Sequence, residues 1–293
     1  MVCFFLITGY LTIPSRIKRT GVQYGFNRAI RLFPEYWLLL IILFLIVFPK
    51  YNFLDLLFNM TMFQEFLGHQ NILGASWMLP IQLVFFFLVM VLGTKLFIVK
   101  EKSIKSNMTR GTIIIGICMV FALSLATARA LTNKPFPVAF FLLLSVSILG
   151  IYIWYIDDCH KSVRSLIIML SIFEVGMIIS VWLAYHEQFF SYVIAYNLGL
   201  LLFLFFKYFN HYEGFFFFGL IKLGNIGFCF FLGADIPYNI LKNIYNFNEN
   251  YGTIILECFL RFILTIIMAT LITKFLEKPM LNWGKKMESE IKR

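Results

Sequence analysis

Charge is scarce in this 293-residue chain: Asp and Glu number 15 together, and all charged residues make up only 14%. A water-soluble domain carries roughly 25% charged residues, so the deficit excludes an ordinary soluble fold and a disordered chain alike. Cysteine is rare as well. Cys3, Cys118, Cys159, Cys229 and Cys258 are odd in number, have no closely spaced pair and lie mostly in apolar stretches, which excludes a disulfide framework. Only four histidines occur, His69, His160, His186 and His211, in separate predicted loops without ligand spacing, so no metal site is expected. There is no Gly/Ser linker, no internal repeat and no low-complexity tract beyond Phe clusters such as Phe215 to Phe218, and a single domain over residues 1–293 is the economical organisation. The opening run Met1 to Ile13 lacks a basic leader and a small-residue cleavage site, which argues against a signal peptide.

What the chain has instead is apolar surface: 60% hydrophobic residues, 19% aromatic, and a mean hydropathy of +0.83. Backbone groups in lipid have to pair within their own segment, so each apolar run of about 17–25 residues reads as a helix. Eight runs qualify, at residues 33–49, 77–99, 111–131, 137–156, 165–185, 189–206, 214–233 and 253–275, preceded by a partial one at 1–13. The expected fold is all-α, a polytopic integral membrane helix bundle of about nine spans with the first incomplete. Residues 51–76 are less apolar and contain Asp55, Glu65, His69 and Gln70, and are expected outside as an amphipathic helix plus loop.

The net charge of +10 does not call for a nucleic acid. With loops placed alternately on two sides, one side receives 18 of the 25 basic residues, in loops 14–32, 100–110 and 157–164, at Lys207 and in the tail from Lys274. The other side receives Lys50, Arg129, Lys134 and Lys242. Short cytoplasmic loops carry the excess of Lys and Arg, so the basic side and the C-terminus are expected in the cytoplasm.

Three constellations stand out. Arg28 and Arg31 are three apart and share a helical face, where two guanidinium forks suit phosphate; Arg16, Lys18 and Arg19 add charge nearby. Anchoring to anionic headgroups explains the same residues without a ligand. At the outer start of the second full run, Trp77 is an interfacial aromatic and Gln82 projects from the second turn, either as packing groups or as parts of a site. Glu174, Lys222, Glu257 and Arg261 lie within apolar runs, where charges face a cavity or each other, and Glu257 and Arg261 are spaced as an i,i+4 pair.

Together these segments resemble the membrane acyltransferase type 3 family. Phe4 to Leu11 is similar to its FFxxSGFL segment, Arg28 to Trp37 to RxxRIxPxYW, Ser76 to Gln82 to SWSLxxE, Leu223 to Leu232 to LGxISYxxYL, and Phe275 to Met280 to IEKPF. The five occur in the family's order over nearly the whole chain. The resemblance implies an O-acyltransferase, specialised for O-acetylating a cell-surface polysaccharide or its lipid-linked precursor in the bacterial cytoplasmic (inner) membrane. It implies acetyl-CoA or another acyl-CoA as co-substrate, membrane lipid as surroundings and no permanently bound cofactor. Arg28 and Arg31, with Arg16, Lys18 and Arg19, are the expected donor-phosphate residues, and Trp77, Gln82, Lys222 and Arg261 the expected acceptor-site residues.

In the family a further helix precedes FFxxSGFL and carries an arginine and the histidine held to be catalytic, so the chain reads as N-terminally truncated relative to it. Gln82 stands where the pattern has Glu, Gly227 and Phe228 where it has Ser-Tyr, and Ala234 about where a histidine often follows. An amide cannot titrate, which leaves His69, Gln82 and Glu257 as substitutes for the base and predicts no turnover by the chain as written. The alternative reading is a non-catalytic homologue, or a carrier of a polysaccharide or lipid-linked intermediate. Sidedness is testable directly: cysteines introduced at Ser106 and Ser289 are expected to be shielded from an impermeant thiol reagent in intact cells, and one at Asn133 to react. Labelling at Ser106 from outside would contradict the assignment.

Overall fold

The computed structural model describes residues 1–97, 104–159, 163–208, 224–244 and 251–291. The described residues are helical almost throughout, with no strand among them. Among the described residues seven helices are long and apolar enough to cross a membrane, and a shorter apolar helix, Val2–Ile17, precedes them. Residues 209–223 lie outside the described residues, and with them Lys222, Leu223, His211, Phe215 to Phe218 and the first half of the expected run 214–233; His160 and Lys161 do so too.

In chain order the helices are α1 (Val2–Ile17), α2 (Gly21–Val47), α3 (Phe53–Met60), α4 (Leu79–Phe97), α5 (Ile104–Thr132), α6 (Val138–Cys159), α7 (Val163–Ala184), α8 (Phe189–Tyr208), α9 (Gly227–Gly233), α10 (Asp235–Ile244), α11 (Tyr251–Ile272) and α12 (Lys278–Ile291). A π turn, Thr273–Glu277, joins the last two. Residues 14–32, expected as a cytoplasmic loop, are instead helical except for Lys18, Arg19 and Thr20. From Phe26 to Phe33 the sequence holds no glycine or proline, and the helix tolerates Pro34 in its interior, so α2 extends back through Arg28 and Arg31 to a 27-residue helix. The chain packs into two compact units, one of Met1–Tyr24 and Ile81–His211, the other of Gly25–Pro80 and Tyr212–Arg293.

The first unit is built around α6, whose apolar window is 72% buried. Its contact with α1 depends on small residues. A Cβ at Gly9 would lie 1.8 Å from the Ser147 carbonyl oxygen, and one at Gly150 would lie 2.3 Å from that of Leu6. Apolar helices surrounded by lipid gain nothing from hydrophobic association with each other, so close backbone approach of this kind holds them together. Polar groups of α6 are satisfied locally: Ser145 and Ser147 donate to the Leu142 and Leu143 carbonyls, and the Tyr152 hydroxyl donates to the Phe97 carbonyl at 2.7 Å. In α4 the helix breaks at Gly93, whose φ of 60° is open to glycine and costly for other residues.

The second unit is organised by α2. Its Tyr36 hydroxyl donates to the Asn59 carbonyl at 2.7 Å, and the Trp37 indole donates to the Met60 carbonyl at 3.0 Å. Carbonyls at a helix end have no intrahelical donor, so these two side chains cap α3 and dock it on α2. Farther along, α9 passes close enough that a Cβ at Gly233 would meet Leu39 and the tip of Met268. At the other end of the helix Gly284 of α12 faces Ile30, and Trp283 packs on Phe26.

The segment after α3 folds back on fully buried Asn59. Its amide nitrogen donates to the Asp55 and Gln70 carbonyls at 2.8 and 2.9 Å, while its oxygen accepts the Ile72 N–H at 3.1 Å. Gln64, also fully buried, extends the network to Ser76 at 2.9 Å. Replacing Asn59 with Leu keeps the volume but strands the buried Ile72 N–H and the Gln70 carbonyl. At about 1–3 kcal/mol per stranded group, Asn59→Leu is expected to cost about 2–4 kcal/mol. Thermal unfolding in detergent checks it, and an unchanged Tm would show that the segment does not depend on this residue.

Candidate functional site

The second unit contains a cavity of about 400 Å³, lined by Phe230, Ala234, Asp235, Tyr238, Arg261, Phe262 and Thr265. Three short stretches of helix build it. Asp235 opens α10, where a carboxylate complements the helix N-terminus, and accepts the Gly74 N–H at 2.6 Å. That bond ties the turn leading to Trp77 to the wall of the cavity. One turn along α10, the Tyr238 ring lies under the Arg261 guanidinium, 4.0 Å from centroid to carbon. Arg261 in turn pairs with Glu257 one turn earlier on α11, as the i,i+4 spacing predicts. Its Nε is buried and has no hydrogen-bond partner among the described residues.

An aromatic face, a carboxylate and a guanidinium around one cavity offer a polyhydroxylated ligand its usual contacts: stacking on the ring, an acceptor for hydroxyl protons and a fork of donors. Arg261 was named from sequence. Asp235 and Tyr238 were not, and the signal for them was a cluster, Asp235, Tyr238 and Asn239, closing an otherwise apolar run. Ala234, the position where the resemblance implies histidine, is part of the cavity wall.

His69 and Asp55 form a second arrangement in the same unit. The ring Nδ1 stands 2.8 Å from Asp55 Oδ1, and the ring stacks on Phe58 with centroids 4.0 Å apart. Because a carboxylate only accepts, Nδ1 carries the hydrogen, which leaves Nε2 as the acceptor in the neutral ring. A histidine oriented through one nitrogen by a carboxylate is the arrangement that general bases use. The other carboxylate oxygen of Asp55 accepts the Asn52 N–H at 3.0 Å and caps α3. Donation from His69, and then from Asn52, holds the Asp55 carboxyl below its ordinary value. A carboxylate held down this way favours the folded state above the ordinary carboxylate range, and the contribution is lost as pH falls through that range.

The remaining sequence-derived residues are dispersed. Arg28, half-buried, and Arg31, exposed, lie on the first turns of α2 in the second unit, with Trp77 half-buried in a 3-10 turn, Gly74–Met78. Arg16, Lys18, Arg19 and Gln82 belong to the first unit. Arg16 donates to the Arg19 carbonyl and lies against Gly21 and Gly93, while Arg19 donates to the Ser15 hydroxyl at 3.1 Å. Both therefore serve the end of α1, and Lys18 is exposed. Gln82 is buried and, among the described residues, its Oε1 has no hydrogen-bond partner. Glu174 accepts a long contact, 3.4 Å, from Asn197.

Among the described residues no cluster of His, Cys, Asp or Glu is placed to hold a metal ion, and Cys3, Cys118, Cys229 and Cys258 are free thiols. The chain matches no protein-family model, no curated protein and no solved structure.

Proposed function

We propose that the chain is an O-acyltransferase of the acyltransferase type 3 kind, carrying an acyl group from acetyl-CoA or another acyl-CoA to a sugar hydroxyl. The acceptor is a cell-surface polysaccharide or its lipid-linked precursor, and the setting is the bacterial cytoplasmic membrane with the C-terminus in the cytoplasm. The observation that carries this reading is the cavity of the second unit, where Asp235 and Tyr238 of the short α10 and Arg261 of α11, a helix long and apolar enough for a membrane, present sugar-binding chemistry.

In this reading Arg28 and Arg31 grip the donor's phosphates from adjacent turns of α2. Of the three substitutes for a base, Glu257 is committed to Arg261 and the Gln82 amide does not titrate. His69, oriented by Asp55, has the chemistry to accept the hydroxyl proton. The second reading, a non-catalytic homologue or a carrier of the same polysaccharide or lipid intermediate, is favoured by Ala234, which leaves a wall of the cavity without the histidine that the resemblance implies.

Donor binding tests the proposal without requiring turnover. Charge-assisted hydrogen bonds contribute roughly 1.5–3 kcal/mol each and add incompletely, so replacing both Arg28 and Arg31 with Gln is expected to weaken acyl-CoA binding by about 2–4 kcal/mol. Equilibrium binding to the purified, folded double variant measures this. Unchanged retention of CoA would return both arginines to membrane anchoring.

A further inference from the structure

The segment that follows α2 is fastened far back along that helix. α2 ends at Val47, and Lys50 then lies over the Tyr51 ring, 5.0 Å from its centroid, the pairing of residue types that marks a membrane–water boundary. Tyr36 and Trp37, which hold the Asn59 and Met60 carbonyls at the end of α3, stand eleven and ten residues before Val47. At 1.5 Å of rise per residue that is about 15 Å of helix, half of a hydrocarbon layer roughly 30 Å thick. Helical side chains lean toward the helix N-terminus, so the reach of these two carries the end of α3 away from Lys50, not toward it. The far end of the segment is held at a similar level. Gly233 of α9 packs on Leu39, and Asp235, two residues later, accepts the Gly74 N–H at 2.6 Å.

Between these anchors the segment has two unlike faces. Phe53, Leu54 and Leu57 of α3, with Phe66 and Leu67 of the 3-10 turn Gln64–Leu67, are between 45% and 65% exposed. So many open apolar side chains on one short stretch call for an apolar partner. The other face is polar: Glu65 and Gln70 are exposed, and Asp55 and His69, joined at 2.8 Å, are partly so. Residues 61–73 contain no α-helix, and at membrane depth such backbone is tolerated only where protein buries it or water reaches it. Asn59, Gln64 and Ser76, all fully buried, fill the inside of the fold. Gln64 Oε1 has no hydrogen-bond partner among the described residues, and a water can supply its donor.

We propose that residues 53–76 form a re-entrant hairpin whose apolar face lies among lipid acyl chains near mid-bilayer, while Asp55, Glu65, His69 and Gln70 line a water-filled crevice opening on the side of Lys50. The partner of Leu57, Phe66 and Leu67 is the acyl-chain layer itself. A helix lying on the membrane would sink only about 5–10 Å below the headgroups. The crevice brings water, and hydroxylated solutes that water carries, as far as His69. A carrier and a transferase would both use such an opening, so the hairpin does not depend on the acyl-transfer reading.

The wild-type chain in lipid nanodiscs tests both faces without substitution. Phospholipids bearing a photoactivatable diazirine either at mid-chain or beside the headgroup report depth, and adducts on Leu57, Phe66 and Leu67 are expected to be several-fold more frequent with the mid-chain reagent. A water-soluble carbodiimide with taurine, a charged amine that stays out of hydrocarbon, is expected to tag Glu65 to an extent similar to Glu187, exposed in the turn between α7 and α8. An excess of headgroup-proximal adducts at the three apolar residues, or none from either lipid, overturns the re-entrant placement. Mid-chain adducts with Glu65 untagged while Glu187 reacts overturn the crevice.

Discussion

Polar groups carried into an apolar helix bundle have no water to fall back on, and nearly every informative feature of this chain is a way of giving such a group a partner. The most consequential case is α2. Its Tyr36 and Trp37 satisfy the last carbonyls of α3, and its Glu35 receives the Cys229 thiol. The Asn59 carbonyl also accepts the Met62 N–H at 2.9 Å, so the Tyr36 and Trp37 bonds act mainly to fasten α3, and the segment that follows it, onto α2. The Asp235 carboxylate then connects that segment, through Gly74, to the cavity wall. The first unit meets the same requirement more simply, with hydroxyls bonded back to their own helix and glycines that let the backbones touch.

The arrangement separates residues that hold the structure from residues that remain available to a ligand. Arg16 and Arg19 each direct a terminal guanidinium nitrogen to the end of α1. Glu257 is ion-paired with Arg261, which itself rests on Tyr238. His69 combines both roles, since the bond that latches it to Asp55 also fixes which ring nitrogen is free to accept a proton. The chemistry proposed for the chain draws on Arg28 and Arg31 toward a phosphorylated donor, and on the cavity with His69 toward a hydroxylated acceptor.

Helix type and most helix positions were legible in the amino-acid order, because runs of twenty apolar residues leave the backbone no alternative to a helix. The Glu257 and Arg261 pair followed from spacing alone. The helical start of α2 was not legible in the same way: hydropathy marks where a helix becomes apolar, and Pro34 reads as a boundary, whereas the backbone stays helical through Pro34 and on through Arg31 and Arg28. Contacts distant in sequence were beyond reach. Nothing local to Glu35 announces Cys229, 194 positions away, and nothing near Gly74 announces Asp235, 161 positions away. Asn59 reads as an ordinary polar residue in a short amphipathic helix, and only the folded segment shows that three backbone groups depend on it.

The central claim is that α2 presents a donor site at its first turns and that acyl-CoA is what it binds. Photoaffinity labelling with a benzophenone-bearing acyl-CoA, mapped by mass spectrometry on the chain in nanodiscs, addresses it most directly. The account predicts adducts on the α2 stretch that contains Arg28 and Arg31, suppressed by excess acetyl-CoA. Adducts confined to α5, α6 and α7, or α2 adducts that acetyl-CoA does not suppress, would contradict it.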